Sequence, residues 1–214
     1  MEYCKKVVAV ISGEELFADF INSALVKHSL FEIRRVESRI ERAVSLCAES
    51  LPDLMLVDID SAGSQAIKDL LSLRKRFPTV VFVVATDAVD EFLVVQALRA
   101  HLVGFLYKKE MTFSKVVSAL EELVSGRQFW SPSLRKAGIL LSQRSNSWHR
   151  WLTDRECDYV RVFASEGDPV HAAAKLGVAR ASMRTLKSRI LRKLGLRSSI
   201  ELAGWAQRKG FLRP

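Results

Sequence analysis

The sequence of 214 residues is poor in the residues that build disulfide frameworks and metal sites. Its 3 cysteines, Cys4, Cys47 and Cys157, are odd in number and far apart, which excludes a disulfide framework and a zinc-type ligand spacing. The 4 histidines are equally scattered along the chain. Widely separated free cysteines are typical of a reducing compartment.

Long hydrophobic runs are also missing. The run Val7–Ile11 is too short for the hydrophobic region of a signal peptide, and nothing approaches the roughly 20 apolar residues of a membrane span. We therefore expect a cytoplasmic protein. The chain also shows no nucleophile–base pair, metal cluster or phosphate-binding glycine loop, so we expect neither enzymatic activity nor a cofactor.

Positive charge is abundant, and it is concentrated at one end. The formal net charge is +9, and residues 148–214 carry 14 Lys or Arg against 6 Asp or Glu, whereas residues 1–147 carry 19 against 18. This asymmetry indicates a nucleic-acid or membrane partner for the basic part. The basic helices lack a broad apolar face opposite their charge, which favours double-stranded DNA over a membrane. A solvated basic surface is the alternative.

Residues 1–125 alternate short apolar runs with longer amphipathic segments. The apolar runs predict five strands, over Val7–Ile11, Phe31–Val36, Leu54–Ile59, Val80–Ala85 and Gly104–Tyr107. The amphipathic segments predict five helices, over Glu14–His28, Arg39–Glu49, Ser64–Arg76, Val89–Ala100 and Phe113–Val124. This alternation predicts an α/β domain with a parallel sheet covered on both faces, in which sites lie at the carboxyl ends of the strands.

The remaining residues form two further segments. Residues 126–150 are predicted to be a linker that includes a short helix over Ser133–Ser142. Residues 151–214 are predicted to form an all-helical domain. Its short turn Gly177–Arg180 joins two helices in a helix-turn-helix pattern.

Start signals support this helical prediction. Thr153 and Glu156 have the spacing of a capping box, which satisfies exposed N–H groups at a helix start. Asp168 followed by Pro169 is a second signal, a cap residue before a proline in the first helical position.

The helix predicted from about Ala181 to Gly195 has two different faces. One face would pack on the domain and carries Met183, Leu186, Ile190 and Leu194. We expect the other face to contact DNA; it carries Arg184, Thr185, Ser188, Arg189 and Arg192, with Lys187 beside the apolar seam. Arginine can read guanine with two hydrogen bonds in the major groove, and Ser and Thr make shorter contacts. Arg189 and Arg192 are better placed for phosphates.

Several of these motifs carry a resemblance to a known family. The resemblance is to the tetrahelical DNA-binding domain of LuxR/NarL/FixJ-type regulators. It rests on the segment Leu152–Glu156, the pattern Ala173 to Val178, Arg184 and the run Ser188–Gly195. The resemblance covers Leu152 to about Leu202. It implies that the third helix enters the major groove and that the fourth contributes to dimerisation, with Leu202, Trp205 and Ala206 as candidate contacts.

The resemblance has two departures. Ala179 stands where the family usually has a polar cap for the recognition helix, and Leu186 stands where it commonly has a histidine. We expect the domain to fold despite both, with an altered preference for DNA sequence.

Residues 5–125 resemble the flavodoxin-like receiver domain of response regulators. Pro52–Asp58 matches the third strand, which places Asp58 at the phosphoacceptor position, and Gly63 matches the glycine that follows. Lys108 after the fifth strand matches the lysine that pairs with phosphoryl oxygens, and Phe105 matches the switch aromatic.

The receiver pocket lacks other parts of the family pattern. Ser12 and Gly13 replace the acidic pair that would hold Mg²⁺, and Ala85 replaces the hydroxyl residue that would bind the phosphoryl group. Thr86 is adjacent, but strand alternation should point its side chain to the other face. We expect Asp58 and Lys108 to form a direct ion pair instead.

Magnesium binding would need a substitute ligand. The candidates for such a rescue are Glu14, Glu15, Asp60 and Asp87.

Three functions remain open. The first is a DNA-binding transcriptional regulator controlled by dimerisation, a partner or a ligand, independently of aspartyl phosphorylation. The second is a conventional two-component regulator that a histidine kinase phosphorylates at Asp58. The third is an auxiliary subunit of another regulator. Candidate receiver dimer contacts are Phe17, Ile21, Val117, Leu120, Leu123 and the exposed part of Phe92–Val95.

Overall fold

The computed structural model describes residues 5–62, 66–145, 147–166 and 169–212. The chain divides into two compact units. The N-terminal unit contains the described residues up to 89 together with 96–137, and the C-terminal unit contains 90–95 together with the described residues from 138 onward. The predicted glycine motif at Gly63 and the predicted cap Asp168 lie outside the described residues.

The N-terminal unit is built on a parallel sheet with strand order β2-β1-β3-β4-β5-β6. Its strands are β1 (Lys6–Ile11), β2 (Phe31–Glu37), β3 (Leu54–Asp58), β4 (Val81–Thr86), β5 (Gly104–Tyr107) and β6 (Phe129–Trp130). All five predicted strands are present. The sixth is a two-residue addition from the segment predicted as a linker, and it pairs with β5.

Six α-helices occur within residues 15–143 of the described chain. They are α1 (Glu15–Leu25), α2 (Ala43–Glu49), α3 (Ala66–Arg76), α4 (Glu91–Arg99), α5 (Phe113–Val124) and α6 (Pro132–Gln143). A 3₁₀ turn over Ile40–Arg42 replaces the first turn of the helix predicted from Arg39. The other observed helix boundaries lie close to the predicted ones. The small differences arise because apolar periodicity locates the middle of a helix better than its ends.

The core explains why these segments form a sheet covered by helices. Every residue of β3 is buried, as expected for a strand in the middle of a parallel sheet. Helices α1 and α5 bury one side each against the sheet, through residues spaced three or four apart: Phe17, Ile21, Leu25, Val116, Ala119, Leu120 and Leu123. The arrangement places the carboxyl ends of β1, β3, β4 and β5 along one edge.

The C-terminal unit contains the predicted group of four helices. They are α7 (Asp154–Glu166), α8 (Pro169–Leu176), α9 (Arg180–Leu194) and α10 (Ser199–Arg208). The turns after α8 and α9 have Gly177 at φ 61° and Gly195 at φ 67°, a left-handed conformation that glycine adopts without steric cost. The capping box is confirmed, because the Thr153 amide donates to Glu156 Oε2 at 2.8 Å and the Glu156 amide donates to Thr153 Oγ1 at 3.3 Å.

A helix that crosses a bilayer must be both long and predominantly apolar. None of the helices in the described part of the chain combines these two properties to the extent that a bilayer requires.

Candidate functional site

Asp58 ends the central strand β3 and lies at the carboxyl edge of the sheet with none of its surface exposed. Its Oδ1 is 2.8 Å from Lys108 Nζ. Its Oδ2 accepts hydrogen bonds from the hydroxyls of Ser12, at 2.8 Å, and Ser61, at 3.1 Å. A buried carboxylate requires a counter-charge and hydrogen-bond donors, and these three side chains supply both. The predicted Asp58–Lys108 ion pair is therefore present.

Lys108 follows β5, and its side chain is only 12% exposed. Its ammonium also contacts Glu14 Oε2 at 2.8 Å and Asp60 Oδ2 at 3.5 Å, and it lies 4.8 Å from the centre of the Phe17 ring. Burial disfavours the charged amine, but the hydrogen bonds to Asp58 and Glu14 and the charges of Asp58 and Asp60 outweigh burial and raise the lysine pKa. Lys108 is therefore a permanent cation in a pocket of carboxylates.

Asp60 extends this network to the end of β4. Its Oδ1 accepts a hydrogen bond from the Thr86 hydroxyl at 2.9 Å, and its Oδ2 accepts one from the Asp87 amide at 2.6 Å. Thr86 is completely buried. Strand alternation predicted only that the Thr86 side chain turns away from Asp58. It did not predict that Thr86 is connected to Lys108, the partner of Asp58, through the Asp60 carboxylate.

The pocket side chains do not fit a Mg²⁺ ion. Ser12 contributes a hydroxyl to Asp58 where the resemblance implies a carboxylate, and Gly13 contributes only its amide, which donates to Ser61 Oγ at 2.8 Å. Two rescue candidates, Glu14 and Asp60, do reach the pocket, but both contact the Lys108 ammonium. Within the described part of the chain, no group of three or more His, Cys, Asp or Glu is arranged to hold a metal.

The two remaining pocket residues of the prediction lie in the core. Ala85 is fully buried and pairs with Asp58 across strands β3 and β4. Phe105 is also fully buried, and its ring packs edge-on against Trp130 of β6 with 5.1 Å between ring centres. The residue that matches the switch aromatic is therefore a buried ring that packs against the additional strand β6.

In the C-terminal unit, α9 separates apolar and cationic faces as its sequence predicts. Met183 and Ile190 are buried, whereas Leu186 and Leu194 are half-buried. The face predicted to contact DNA is exposed, and it comprises Arg184, Thr185, Ser188, Arg189 and Arg192. Lys187 is half-buried, and its ammonium donates to the Ser199 hydroxyl at 3.3 Å.

Glu156 fixes α9 on α7. Only 1% of this residue is exposed, and its carboxylate contacts Arg189 Nε at 3.0 Å and Lys193 Nζ at 2.8 Å. Burial alone would raise its pKa, but the hydrogen bonds from Lys193 and Thr153 and the charge of Lys193 lower the pKa below the ordinary value. Arg189 therefore has a structural partner as well as an exposed side.

Comparisons with known proteins cover both units of the chain. No family model matches the chain. It is 27% identical over 205 residues to the DNA-binding transcriptional activator EvgA of Escherichia coli K12, covering 93% of this chain and 96% of EvgA. It is 28% identical over 174 residues to the nitrate/nitrite response regulator protein NarL of the same strain, covering 79% and 80%.

Solved structures extend the comparison to the fold. The RcsB response regulator of Salmonella typhimurium superposes with a TM-score of 0.69 at 16% identity, over 95% of this chain and 97% of that one. These comparisons support a NarL/FixJ-type response regulator. The N-terminal unit accordingly has the flavodoxin-like receiver fold, and the C-terminal helices match those of RcsB-like response regulators.

The structure corrects the dimer contacts that were predicted from the sequence. Leu202 and Ala206 have no exposed surface, so they form the core of the C-terminal unit, while Trp205 is half-buried against Trp148 and Phe211. Most of the predicted receiver contacts are likewise core residues: Phe17, Ile21, Leu120, Leu123, Leu93, Val94 and Val95. Helical periodicity identified the apolar faces correctly, but those faces are already covered within this chain.

Helix α9 begins without a side-chain cap. Ala179 occupies the cap position with φ −64° and ψ 144°, an extended conformation suited to a capping serine, and it makes no side-chain hydrogen bond.

We expect Ala179→Ser to stabilise the first turn of α9 by about 1 kcal/mol, which corresponds to roughly fivefold slower amide exchange there. Hydrogen exchange followed by mass spectrometry measures this. The matched variant Ala181→Ser, inside the helix, should give no such protection, and equal protection in both variants would contradict the capping explanation.

Proposed function

We propose that this protein is a transcriptional regulator that binds DNA through α9 and that works without phosphorylation of Asp58. The exposed side of α9 presents three arginines, Arg184, Arg189 and Arg192, beside two hydroxyl side chains. Arginine supports both base reading and phosphate contacts in the major groove. EvgA is named a DNA-binding transcriptional activator, and a related RcsB structure was determined bound to a promoter.

One observation carries the second part of the proposal: Ser12 and Gly13 supply no carboxylate beside Asp58, and the nearby carboxylates of Glu14 and Asp60 contact the Lys108 ammonium. Phosphoryl transfer accumulates negative charge that Mg²⁺ normally neutralises, and Mg²⁺ requires oxygen ligands in near-octahedral geometry. Here the oxygens of Glu14, Asp58 and Asp60 all contact one ammonium. The carboxylate of Asp58 also receives hydrogen bonds from Ser12 and Ser61, so both of its oxygens have partners.

Labelling with acetyl phosphate and Mg²⁺ tests this directly. We expect no phosphoryl group on Asp58 by mass spectrometry and no change in the affinity of the protein for duplex DNA. A label on the wild type that Asp58→Asn abolishes would overturn phosphorylation independence and favour the conventional two-component function.

A variant that restores the acidic pair supplies the positive control. The double variant Ser12→Asp, Gly13→Asp should gain stabilisation by Mg²⁺ that the wild type lacks, because two carboxylates would then face Asp58. A Cβ atom at Gly13 would lie 3.2 Å from Ser61 Cβ, so the β3 loop must shift by a few tenths of an ångström. Mg²⁺ stabilisation of the wild type to the same degree would show that the present pocket already holds the metal.

Dimerisation belongs to the same proposal. RcsB has been solved as dimers bound to DNA, and two copies of α9 related by a two-fold axis would lie about 34 Å apart on one face of a duplex. The proposal therefore predicts binding sites with two half-sites separated by about one helical turn.

A further inference from the structure

An open groove of about 360 Å³ lies beside α9, within the C-terminal unit. Its lining combines two guanidinium groups, two hydroxyls and an apolar floor, and consists of Arg155, Val178, Ser182, Thr185, Leu186 and Arg189. Arg155 comes from the first turn of α7, and Val178 comes from the turn before α9. Residues from α7, from the turn before α9 and from α9 itself thus line one groove that contains two cations.

The two arginines of the groove have different partners. Arg189 contacts buried Glu156 through its Nε at 3.0 Å. The remaining N–H donors of its planar guanidinium are not used in this contact. Arg155 is exposed and forms no ion pair with any part of the chain that the structure describes. Glu156, the carboxylate that Arg189 contacts, is also paired with Lys193. Among the described residues, the groove lining therefore contains two guanidinium groups and no carboxylate.

The position of the groove identifies the anion that it would receive. Thr185 lines the groove and also belongs to the exposed face of α9 that carries Arg184 and Ser188. A DNA strand lying along that face would pass the mouth of the groove. Guanidinium groups match the geometry of a phosphate through paired hydrogen bonds, and serine and threonine hydroxyls can donate to the same oxygens.

We infer that this groove binds a backbone phosphate of the DNA and that Arg155 is a further DNA-contacting residue, outside the recognition helix. The inference rests on the proposed function, because it requires α9 to lie on DNA. A phosphate contact fixes register and orientation without reading sequence. Arg155 therefore contributes affinity equally on every duplex, whereas Arg184 contributes to the choice among duplexes.

The salt dependence of DNA binding tests this assignment. The probes are a duplex selected from a random pool by the wild-type protein and a scrambled duplex of the same composition. For Arg155→Ala, the slope of log affinity against log salt should become shallower by about 0.9, which is about an eightfold loss of affinity at 0.1 M monovalent salt. The ratio of affinities for the two duplexes should stay unchanged, and Arg155→Lys should restore most of the slope.

Arg208→Ala is the charge-matched control, because Arg208 is exposed on α10 and does not line the groove. An unchanged slope for Arg155→Ala, or an equal change for Arg208→Ala, overturns the groove as a phosphate site. A changed ratio between the two duplexes shows base reading by Arg155 and overturns it as well. Wild-type protein that binds neither duplex overturns the proposed function itself, and the two failures are thereby distinguished.

Discussion

Glu156→Ala is expected to destabilise the C-terminal unit strongly. It removes a buried carboxylate whose hydrogen bonds to charged and backbone donors contribute roughly 1–3 kcal/mol each, a large part of the stability of many small domains. Amide exchange in α7 and α9, followed by mass spectrometry, should become fast in this variant while the strands of the N-terminal unit keep their protection. Binding to duplex DNA should be lost in parallel.

The geometry around Glu156 explains the size of this effect. Its carboxylate contacts Arg189 at 3.0 Å and Lys193 at 2.8 Å, and it accepts a hydrogen bond from the Thr153 amide at 2.8 Å. Without the carboxylate, Arg189 and Lys193 lose their shared partner, and the capping box of α7 keeps only the bond to the Thr153 hydroxyl. Glu166→Ala is the matched control on the same helix: Glu166 is exposed and pairs with Lys175, so its removal should cost at most about 1 kcal/mol. Equal protection losses in both variants would refute the special role of Glu156.

The same residue predicts how the C-terminal unit responds to acid. The pKa of Glu156 is lower in the folded state than in the unfolded state, mainly through Lys193 and Thr153 acting against burial. Its contribution is therefore complete above the unfolded value, about 4.3, and is lost as the pH falls through the folded value. Amide protection of α7 and α9 should decline over this acidic range. A Glu156→Gln variant should lack this acid step, and an unchanged step would assign it to another carboxylate.

The polar network of the receiver pocket was partly predictable from sequence. Asp58 ends one apolar strand and Lys108 follows another, so their position at the carboxyl edge could be inferred from the strand pattern, whereas their pairing was implied by the resemblance to receiver domains. The link from Asp60 to Thr86 could not be inferred. It depends on how the loop after β3 turns back towards the end of β4, and hydrophobic periodicity carries no information about loop conformation.

The predicted linker and dimer contacts show a different limit. Phe129 and Trp130 form too short an apolar run to indicate a strand, and they join the sheet because the edge of β5 offers hydrogen bonds and Phe105 offers an aromatic contact. Leu202 and Ala206 lie on an apolar helix face, as predicted. Periodicity shows that such a face is covered, but it does not distinguish a second copy of the chain from the remainder of the same domain.

Lys108→Met is expected to destabilise the N-terminal unit by about 3–5 kcal/mol, the second large effect. Methionine can fill the space of the aliphatic stem, but it leaves Asp58 buried without a counter-charge, close to Glu14 and Asp60. Amide exchange in β3 and β4 should accelerate accordingly. Lys6→Met is the control, because the Lys6–Asp53 pair is also 2.8 Å long but has 43% and 35% of its side chains exposed, and such pairs contribute about 1 kcal/mol or less.

A second substitution separates the ion pair from mere packing. Asp58→Asn removes the buried charge, so the double variant Lys108→Met, Asp58→Asn should lose less stability than the sum of the single variants, with a coupling of about 0.5–3 kcal/mol. If the cost of Lys108→Met is instead the same in the Asp58→Asn background as in the wild type, Lys108 acts through Glu14 and Asp60. Asp58 would then be stabilised by hydrogen bonds from Ser12 and Ser61 without depending on the charge of Lys108, and one reason for proposing a phosphate-independent pocket would be lost. The double-mutant cycle therefore tests the physical basis of the proposal independently of any labelling experiment.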